Sequence, residues 1–318
     1  MSELLASPGG TRALLDRFGI RPRKKYGQNF LIDRGVIDAI CAAAEISKED
    51  CVLEIGPGIG TMTQLLSRAA GRVIAIEVDR TLEPVLAYTL EDCTNVTVHW
   101  DDVLKTDLPA LRDALNEGRP FKCVSNLPYS VTTPVLMRLF QEKECFTNIT
   151  VMVQKEVADR MLSGAGEKDY GALSLAVQYA AEPERVLNVP PSCFLPRPGV
   201  DSEVVTMRVR TVPPVEADEE FLFALIRASF NQRRKTLANA LSHGLQGSGP
   251  APEAAASGGS AATALPASAK DGRRAAGYSI SRMQVQEALR SMGLAEDIRG
   301  EKLSLEQFAE LSRRLSAL

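Results

Sequence analysis

Two short stretches hold residue types that do chemistry. In LEIGPGIGTMT (53–63) an apolar run enters a turn with glycines at 56, 58 and 60. In SNLPYSVTTPVL (125–136) a second apolar run stops at Asn126 and places Leu127, Pro128 and Tyr129 before the next helical period. Glycines at such a turn let backbone N–H groups and the N-terminus of the following helix approach a ligand closely. A lone G-x-G says little, but Glu77 ends the next β-branched run, where a carboxylate accepts both hydroxyls of a ribose. The ligand this pattern suits is nucleoside-like.

Two such ligands compete, a nicotinamide dinucleotide and S-adenosylmethionine. The dinucleotide fingerprint G-x-G-x-x-G needs glycine at position 61, and the chain has Thr61. The spacing Glu54-x-Gly56-x-Gly58-x-Gly60 fits S-adenosylmethionine better, because that cofactor has no pyrophosphate to cradle. Asp101 and Asp102 follow the third strand, where a carboxylate or its neighbouring amide reaches an adenine; the alternative is an acidic pair capping a loop. With such a cofactor beside it, the Asn126–Tyr129 turn suits an exocyclic adenine amine, a poor nucleophile because its lone pair is delocalised into the ring. If the Asn126 side-chain oxygen and the Leu127 carbonyl accept both amine hydrogens, the nitrogen is pushed toward tetrahedral geometry and its lone pair is aimed. Pro128 keeps the backbone carbonyl pointing inward and Tyr129 stacks on the base. The alternative is an ordinary strand-end turn. Its place after the fourth strand, at the sheet edge that also carries the glycine turn, favours the functional reading.

These residues need elements to hold them. Strands are predicted at 51–56, 72–78, 96–100, 121–126 and 148–154, separated by segments of helical periodicity. That alternation specifies an α/β domain, a doubly wound, Rossmann-like, mostly parallel sheet. Residues 184–190 and 202–210 read as a late antiparallel addition, and beyond 217 the pattern is helical. Two domains are expected: 1–214, built around the cofactor turn, and 215–318, small and helical. A flexible, low-complexity insertion of Ala, Gly, Ser and Pro at 246–277 interrupts the second.

The six cysteines form no C-x-x-C pair and have no nearby histidine, so neither a disulfide framework nor a metal site is expected. With only His99 and His243, histidine catalysis has little support. No apolar run approaches the length of a membrane helix and the N-terminal residues lack a secretory pattern, so a cytoplasmic protein with no membrane partner is expected. A net charge of -3 argues weakly against nucleic acid. Two dense basic clusters argue the other way: RFGIRPRKK (17–25), with Arg21, Arg23, Lys24 and Lys25, and NQRRK (231–235), with Arg233, Arg234 and Lys235. The alternative is two solvated charge runs.

Taken together with KKYGQNFL (24–31), VQKEVADRM (153–161), YGALS (170–174), CFLPRPGVDSEVV (193–205) and NQRRKTLANAL (231–241), these motifs cover nearly the whole chain. The sequence resembles the KsgA (RsmA) family of ribosomal RNA adenine dimethyltransferases. The resemblance implies that Gln28, Asn29 and Leu31 close over S-adenosylmethionine. Gly56 and Gly58 would approach its methionine part, Glu77 would bind its ribose, Asp102 its adenine, and Asn126 would touch both cofactor and target. Asn126, Leu127, Pro128 and Tyr129 would form the catalytic turn, with Phe194 facing the target base opposite Tyr129, and the basic clusters on the RNA backbone. The implied reaction is dimethylation of N6 of two adjacent adenosines in the 3'-terminal hairpin of small-subunit (16S) ribosomal RNA, within an immature small subunit, by a monomer needing no metal. One rival is an Erm-type enzyme acting on a large-subunit adenine. Another is a catalytically silent ribosome-assembly or RNA-binding relative. The insertion at 246–277 departs from the compact family pattern of the helical domain.

Overall fold

The computed structural model describes residues 5–23, 27–245 and 280–317. Lys24, Lys25 and the low-complexity insertion at 246–277 lie outside the described residues. The chain forms two compact units, Met1–Asp159 with Ala181–Thr211, and Arg160–Ala180 with Val212–Leu318.

Among the described residues, the first unit carries the strands β1 (Phe30–Leu31), β2 (Cys51–Ile55), β3 (Arg72–Glu77), β4 (Val96–Trp100), β5 (Phe121–Asn126), β6 (Phe146–Gln154), β7 (Ala181–Val189), β8 (Phe194–Leu195) and β9 (Ser202–Val209). Seven form one sheet in the order β4-β3-β2-β5-β6-β9-β7. The pairs from β4 to β6 are parallel, and β9 runs antiparallel to both β6 and β7. All five residues of β2 are buried, as a parallel strand covered on both faces requires. From β2 the chain winds outward through β3 to β4, then crosses back to β5 and winds the other way. A crevice therefore opens at the carboxyl ends of β2 and β5, where a doubly wound sheet takes its ligands.

The helix Thr61–Ala69 starts directly after the glycine turn, and Thr132–Gln141 starts after the Asn126 turn, so both lead away from this crevice. Thr132 fixes the second start by donating its hydroxyl to the Pro128 carbonyl at 3.0 Å, and the Val131 N–H donates to the same oxygen at 3.1 Å. The two remaining strands form a small sheet of their own: β1 pairs antiparallel with β8, setting Leu31 opposite Phe194.

The second unit is helical, with helices Ala172–Ala180, Glu219–Asn231, Leu237–Gly244, Arg282–Ser291 and Leu305–Ser316. The first of these falls inside the expected catalytic domain, yet its bonds lie in the second unit. The Tyr170 hydroxyl just before it donates to the Leu303 carbonyl at 2.9 Å, and Tyr179 donates to the Glu219 carboxylate at 3.0 Å. Polar tips of buried aromatics need such partners, which a sequence does not reveal across 133 residues. The helices Arg282–Ser291 and Leu305–Ser316 each open on a capping box, Ser281 with Gln284 and Ser304 with Gln307. Among the described residues, no helix is long and apolar enough to cross a membrane, and no group of three or more His, Cys, Asp or Glu is placed to hold a metal ion.

Candidate active site

The crevice holds a cavity of about 320 Å³ inside the first unit. Its walls come from the segment 27–31, the glycine turn after β2, the end of β3, Asp101–Leu104 after β4, and the Asn126 turn after β5. Four of these five pieces meet because parallel strands deliver their carboxyl ends to one side of a sheet, and the segment 27–31 joins them from outside it.

The floor is shaped by glycine. Gly56 and Gly58 have φ of 72° and 60°, left-handed values that side chains rarely adopt. A Cβ at Gly58 would stand 3.1 Å from the Phe30 ring, so the turn can pack under β1 only without one. The Gly58 N–H donates to Glu77 Oε2 at 3.2 Å, and the Asp79 N–H donates to Oε1 at 2.8 Å. Burial raises the Glu77 pKa, while the backbone N–H groups of Asp79, Gly58 and Val78 oppose the shift. The result is a buried carboxylate with oriented oxygens at the end of β3, suited to accept sugar hydroxyls.

Glu54 lines the cavity one strand away and is 1% exposed. Its Oε2 has no hydrogen-bond partner, and burial pushes its pKa up to about 8, with the negative charge of Glu77 adding to the rise. Thr61 Oγ1, also on the cavity wall, is likewise buried without a partner. A buried carboxyl and hydroxyl left unsatisfied are costly unless something polar fills the space beside them. They fit a ligand that carries cationic or hydrogen-bonding groups.

On the far wall, the Asn126 side chain is held by the segment above it. Asn126 Nδ2 donates to the Asn29 carbonyl at 3.2 Å, which leaves Oδ1 as the acceptor available to a ligand. The Leu127 N–H continues the sheet by donating to Met152 O at 3.1 Å, and the Pro128 carbonyl is taken by Val131 and Thr132. Tyr129 lines the cavity with its hydroxyl 2.5 Å from Ser202 Oγ, and burial raises its pKa, so the phenol keeps its proton.

A cavity of this kind suits more than one reaction, and ancestry separates them. Residues 19–251 match the family model described as "Ribosomal RNA adenine dimethylase". The chain belongs to the ribosomal RNA adenine dimethylase family. Within that family it is 48% identical over 310 residues to "Ribosomal RNA small subunit methyltransferase A" of Lachnoclostridium phytofermentans, covering 97% of this chain and 96% of the relative. The protein of the same name from Alkaliphilus metalliredigens is 42% identical, with 98% of each chain covered. Among solved structures, a dimethyladenosine transferase from Plasmodium falciparum superposes with a TM-score of 0.68 at 25% identity, covering 91% of this chain and 98% of that one. The 23S rRNA methyltransferase ErmE shares the fold, with a TM-score of 0.62 at 24% identity over 91% of this chain and 100% of the other.

As a ribosomal RNA adenine dimethylase, the chain brings most of the residues singled out from its sequence to one cavity. Gln28, Asn29, Leu31, Gly56, Gly58, Glu77, Asp102, Asn126, Leu127, Pro128 and Tyr129 all line it. Two of them are partly committed elsewhere. The Gln28 amide accepts from the Arg23 N–H at 2.9 Å and donates to Asp79 at 3.1 Å, so it braces its own segment. Asp102 caps the following loop by accepting from the Leu104 N–H at 3.0 Å, and it also lines the cavity.

Phe194 does not line the cavity. It is 1% exposed and packs in the apolar cluster with Leu31, Ile40, Val124 and Val204. An all-carbon ring paired through β8 to β1 gains more from burial than from presentation, on the order of 2–3 kcal/mol for a full side chain. The basic residues also separate. Arg23 is ion-paired with Asp79 at 3.3 Å, and Arg21 is exposed. Arg233, Arg234 and Lys235 occupy the turn between helices Glu219–Asn231 and Leu237–Gly244 rather than a helix edge, because the chain breaks at Gln232 and restarts at Thr236. All three are exposed, but Arg233 also donates to the carbonyls of Lys168 and Tyr170 at 3.4 and 3.0 Å.

Sequence reasoning missed Asp79 and Ser202. Asp79 was legible in principle, since an acid two residues beyond Glu77 and just before Arg80–Leu82 suits a helix start. Ser202 was not, because its partner lies 73 residues away.

Proposed function

We propose that the chain uses S-adenosylmethionine to dimethylate N6 of two adjacent adenosines in the 3'-terminal hairpin of small-subunit ribosomal RNA. The observation that carries this reading is the meeting of the glycine turn, Glu77 and the Asn126–Tyr129 turn around one cavity at the switch point of the sheet. The orphaned Glu54 oxygen, the buried Glu77 carboxylate and the glycine floor fit a ligand with cationic and sugar groups. Glu77 would hold the ribose, Asp102 and the apolar Val103 the adenine, and Gly56 and Gly58 the methionine part, with Gln28, Asn29 and Leu31 above. When bound, this cofactor supplies an electrophilic methyl group whose leaving group is already activated by its positive charge.

The chain's own residues then have a limited task. Asn126 Oδ1, oriented by the Asn29 carbonyl, accepts one hydrogen of the target amine, and the Leu127 carbonyl accepts the other. Localising the nitrogen lone pair in this way, and holding it on line with its acceptor, replaces a strong base. Tyr129 stacks on the base. The 48% and 42% identities to relatives named for the small subunit favour that target over a large-subunit one. On this reading the protein is a cytoplasmic monomer acting on an immature small subunit, with the basic turn at Arg234 and Lys235 on RNA phosphates. Labour is divided between a catalytic N-terminal domain and a C-terminal RNA-binding domain.

Transfer of labelled methyl to small subunits lacking the modification, run beside protein-free large-subunit RNA, tests the proposal. Label recovered from the small subunit as N6,N6-dimethyladenosine is the expected result. Label on the large-subunit RNA alone would make the enzyme Erm-type, and label on neither would favour the silent assembly relative.

A further inference from the structure

Tyr129 sits in a turn, and a turn is a poor mount for an aromatic platform. The ring can rotate about two side-chain bonds, and the backbone from Leu127 to Val131 has no strand partner beyond the single bond from Leu127 N–H to Met152 O. A second point of attachment exists. The Tyr129 hydroxyl lies 2.5 Å from Ser202 Oγ. Ser202 is the first residue of β9, has no exposed surface, and stands in register with Gln154 of β6 on one side and Val189 of β7 on the other. It is thus fixed inside the sheet, behind the cavity wall. A hydroxyl buried there needs a partner, and Tyr129 is that partner.

We propose that Ser202 is a positioning residue for the target base: it anchors the Tyr129 hydroxyl and turns a turn-mounted ring into a fixed stacking surface, which matters most for the second methyl transfer. The inference rests on the reading of the site as an adenine N6-dimethyltransferase. An unmethylated amine offers two hydrogens to the grip of Asn126 Oδ1 and the Leu127 carbonyl. After one transfer it offers a single hydrogen, and one hydrogen bond leaves the base free to swing about that point. Stacking must then supply the orientation that the missing hydrogen bond supplied before. With its far end held by the sheet, the ring cannot move off the base by rotation about its first side-chain bond, whereas a ring held only by its turn can.

The test is a double-mutant cycle on the full chain with Ser202→Ala, Tyr129→Phe and the pair, using small subunits lacking the modification as substrate. The rate of each transfer, the KM for subunit and the ratio of N6-methyladenosine to N6,N6-dimethyladenosine are measured. Each single variant should slow the second transfer roughly 3- to 10-fold, the effect of one neutral hydrogen bond, and make monomethyl product accumulate. The first transfer, in which the amine still offers both hydrogens, should slow by a smaller factor than the second, and the double variant should be no worse than the poorer single one, because both changes remove the same bond. A product ratio unchanged in Ser202→Ala, or losses in the double variant that multiply, would overturn the inference. Tyr129→Phe keeps the whole ring, so it reports on the anchorage even if Ser202→Ala disturbs the sheet. Wild-type protein run alongside separates the two levels: if it methylates no adenine at all, the reading of the site has failed, and if it dimethylates normally while the variants match it, only the anchoring role has.

Discussion

At the scale of the residue, the site depends on which way one amide points. The Asn29 carbonyl takes an Asn126 Nδ2 hydrogen and so leaves Oδ1 as the acceptor. Asn126→Ala removes the acceptor and should cut turnover by about 10²-fold or more, comparable to deleting one preorganised polar group beside a reacting centre. Cofactor affinity, measured by titration calorimetry, should fall much less. Asn126→Asp is the sharper variant. It keeps shape and acceptor but sets a carboxylate oxygen against the Asn29 carbonyl, so it should fail as well, and near-normal turnover would show that the amide is not oriented as described. Glu54 gives a second prediction. Its native pKa, about 8, lies above the ordinary carboxylate value of 4.5, so the folded protein binds a proton that the unfolded chain releases. The stability this contributes is complete below the unfolded value and is lost as pH rises from there through about 8. Thermal melts of the ligand-free protein should therefore decline over that range, and Glu54→Gln, which cannot ionise, should flatten the decline. A cation bound beside Glu54 favours the ionised form, so binding should release protons, detectable as a heat that varies with the ionisation enthalpy of the buffer.

Elements position these residues, and the glycine turn shows how tightly. Gly58→Ala demands a left-handed alanine, at about 1–2 kcal/mol, and brings its methyl against Phe30. Since Phe30 belongs to β1, the displacement passes directly to Asn29 and Leu31 on either side of it. Cofactor binding should weaken by about tenfold or more, the equivalent of that strain, with a smaller drop in melting temperature than a core truncation gives. Equal affinity in Gly58→Ala and wild type would mean that the turn can relax without moving the wall. The strands that carry this site were legible because buried parallel strands are short β-branched runs: the expected 51–56, 72–78, 96–100 and 121–126 are β2 to β5 within a residue. The small pair β1 and β8 was not legible, since two residues on each side leave no period to read. The surroundings of Phe194 were illegible for the same reason. Its neighbours Cys193 and Leu195 and the surrounding prolines look like a presented loop, and only the pairing with Leu31 reveals that the ring faces the core. Local pattern reports an element's type, whereas the direction of one side chain depends on a partner far along the chain.

For the whole molecule, the question is how a chain with a net charge of -3 engages a polyanion. The field must be local, and the exposed turn carrying Arg234 and Lys235 is the place proposed for it. Neutralising both should make the dependence of log affinity on log salt shallower by roughly 0.7 for each phosphate left without its cation. The affinity gap between variant and wild type should accordingly be largest at low salt and narrow as salt rises, because the wild type loses its counterion-release advantage there. The adjacent Arg233 should behave differently even though it belongs to the same basic run. It donates to the carbonyls of Lys168 and Tyr170 and stands 4.0 Å from Glu301, so its guanidinium ties three segments of the second unit together. Arg233→Ala should lower the melting temperature without the salt signature, whereas Arg234→Ala with Lys235→Ala should change the salt slope and leave the melt in place. Filter binding to a small-subunit RNA hairpin between low and physiological salt, with melts of the same variants, separates the two. If Arg233→Ala shifts the slope and leaves the melt untouched, the bonds to the two carbonyls are incidental and the whole run is one RNA-facing cluster.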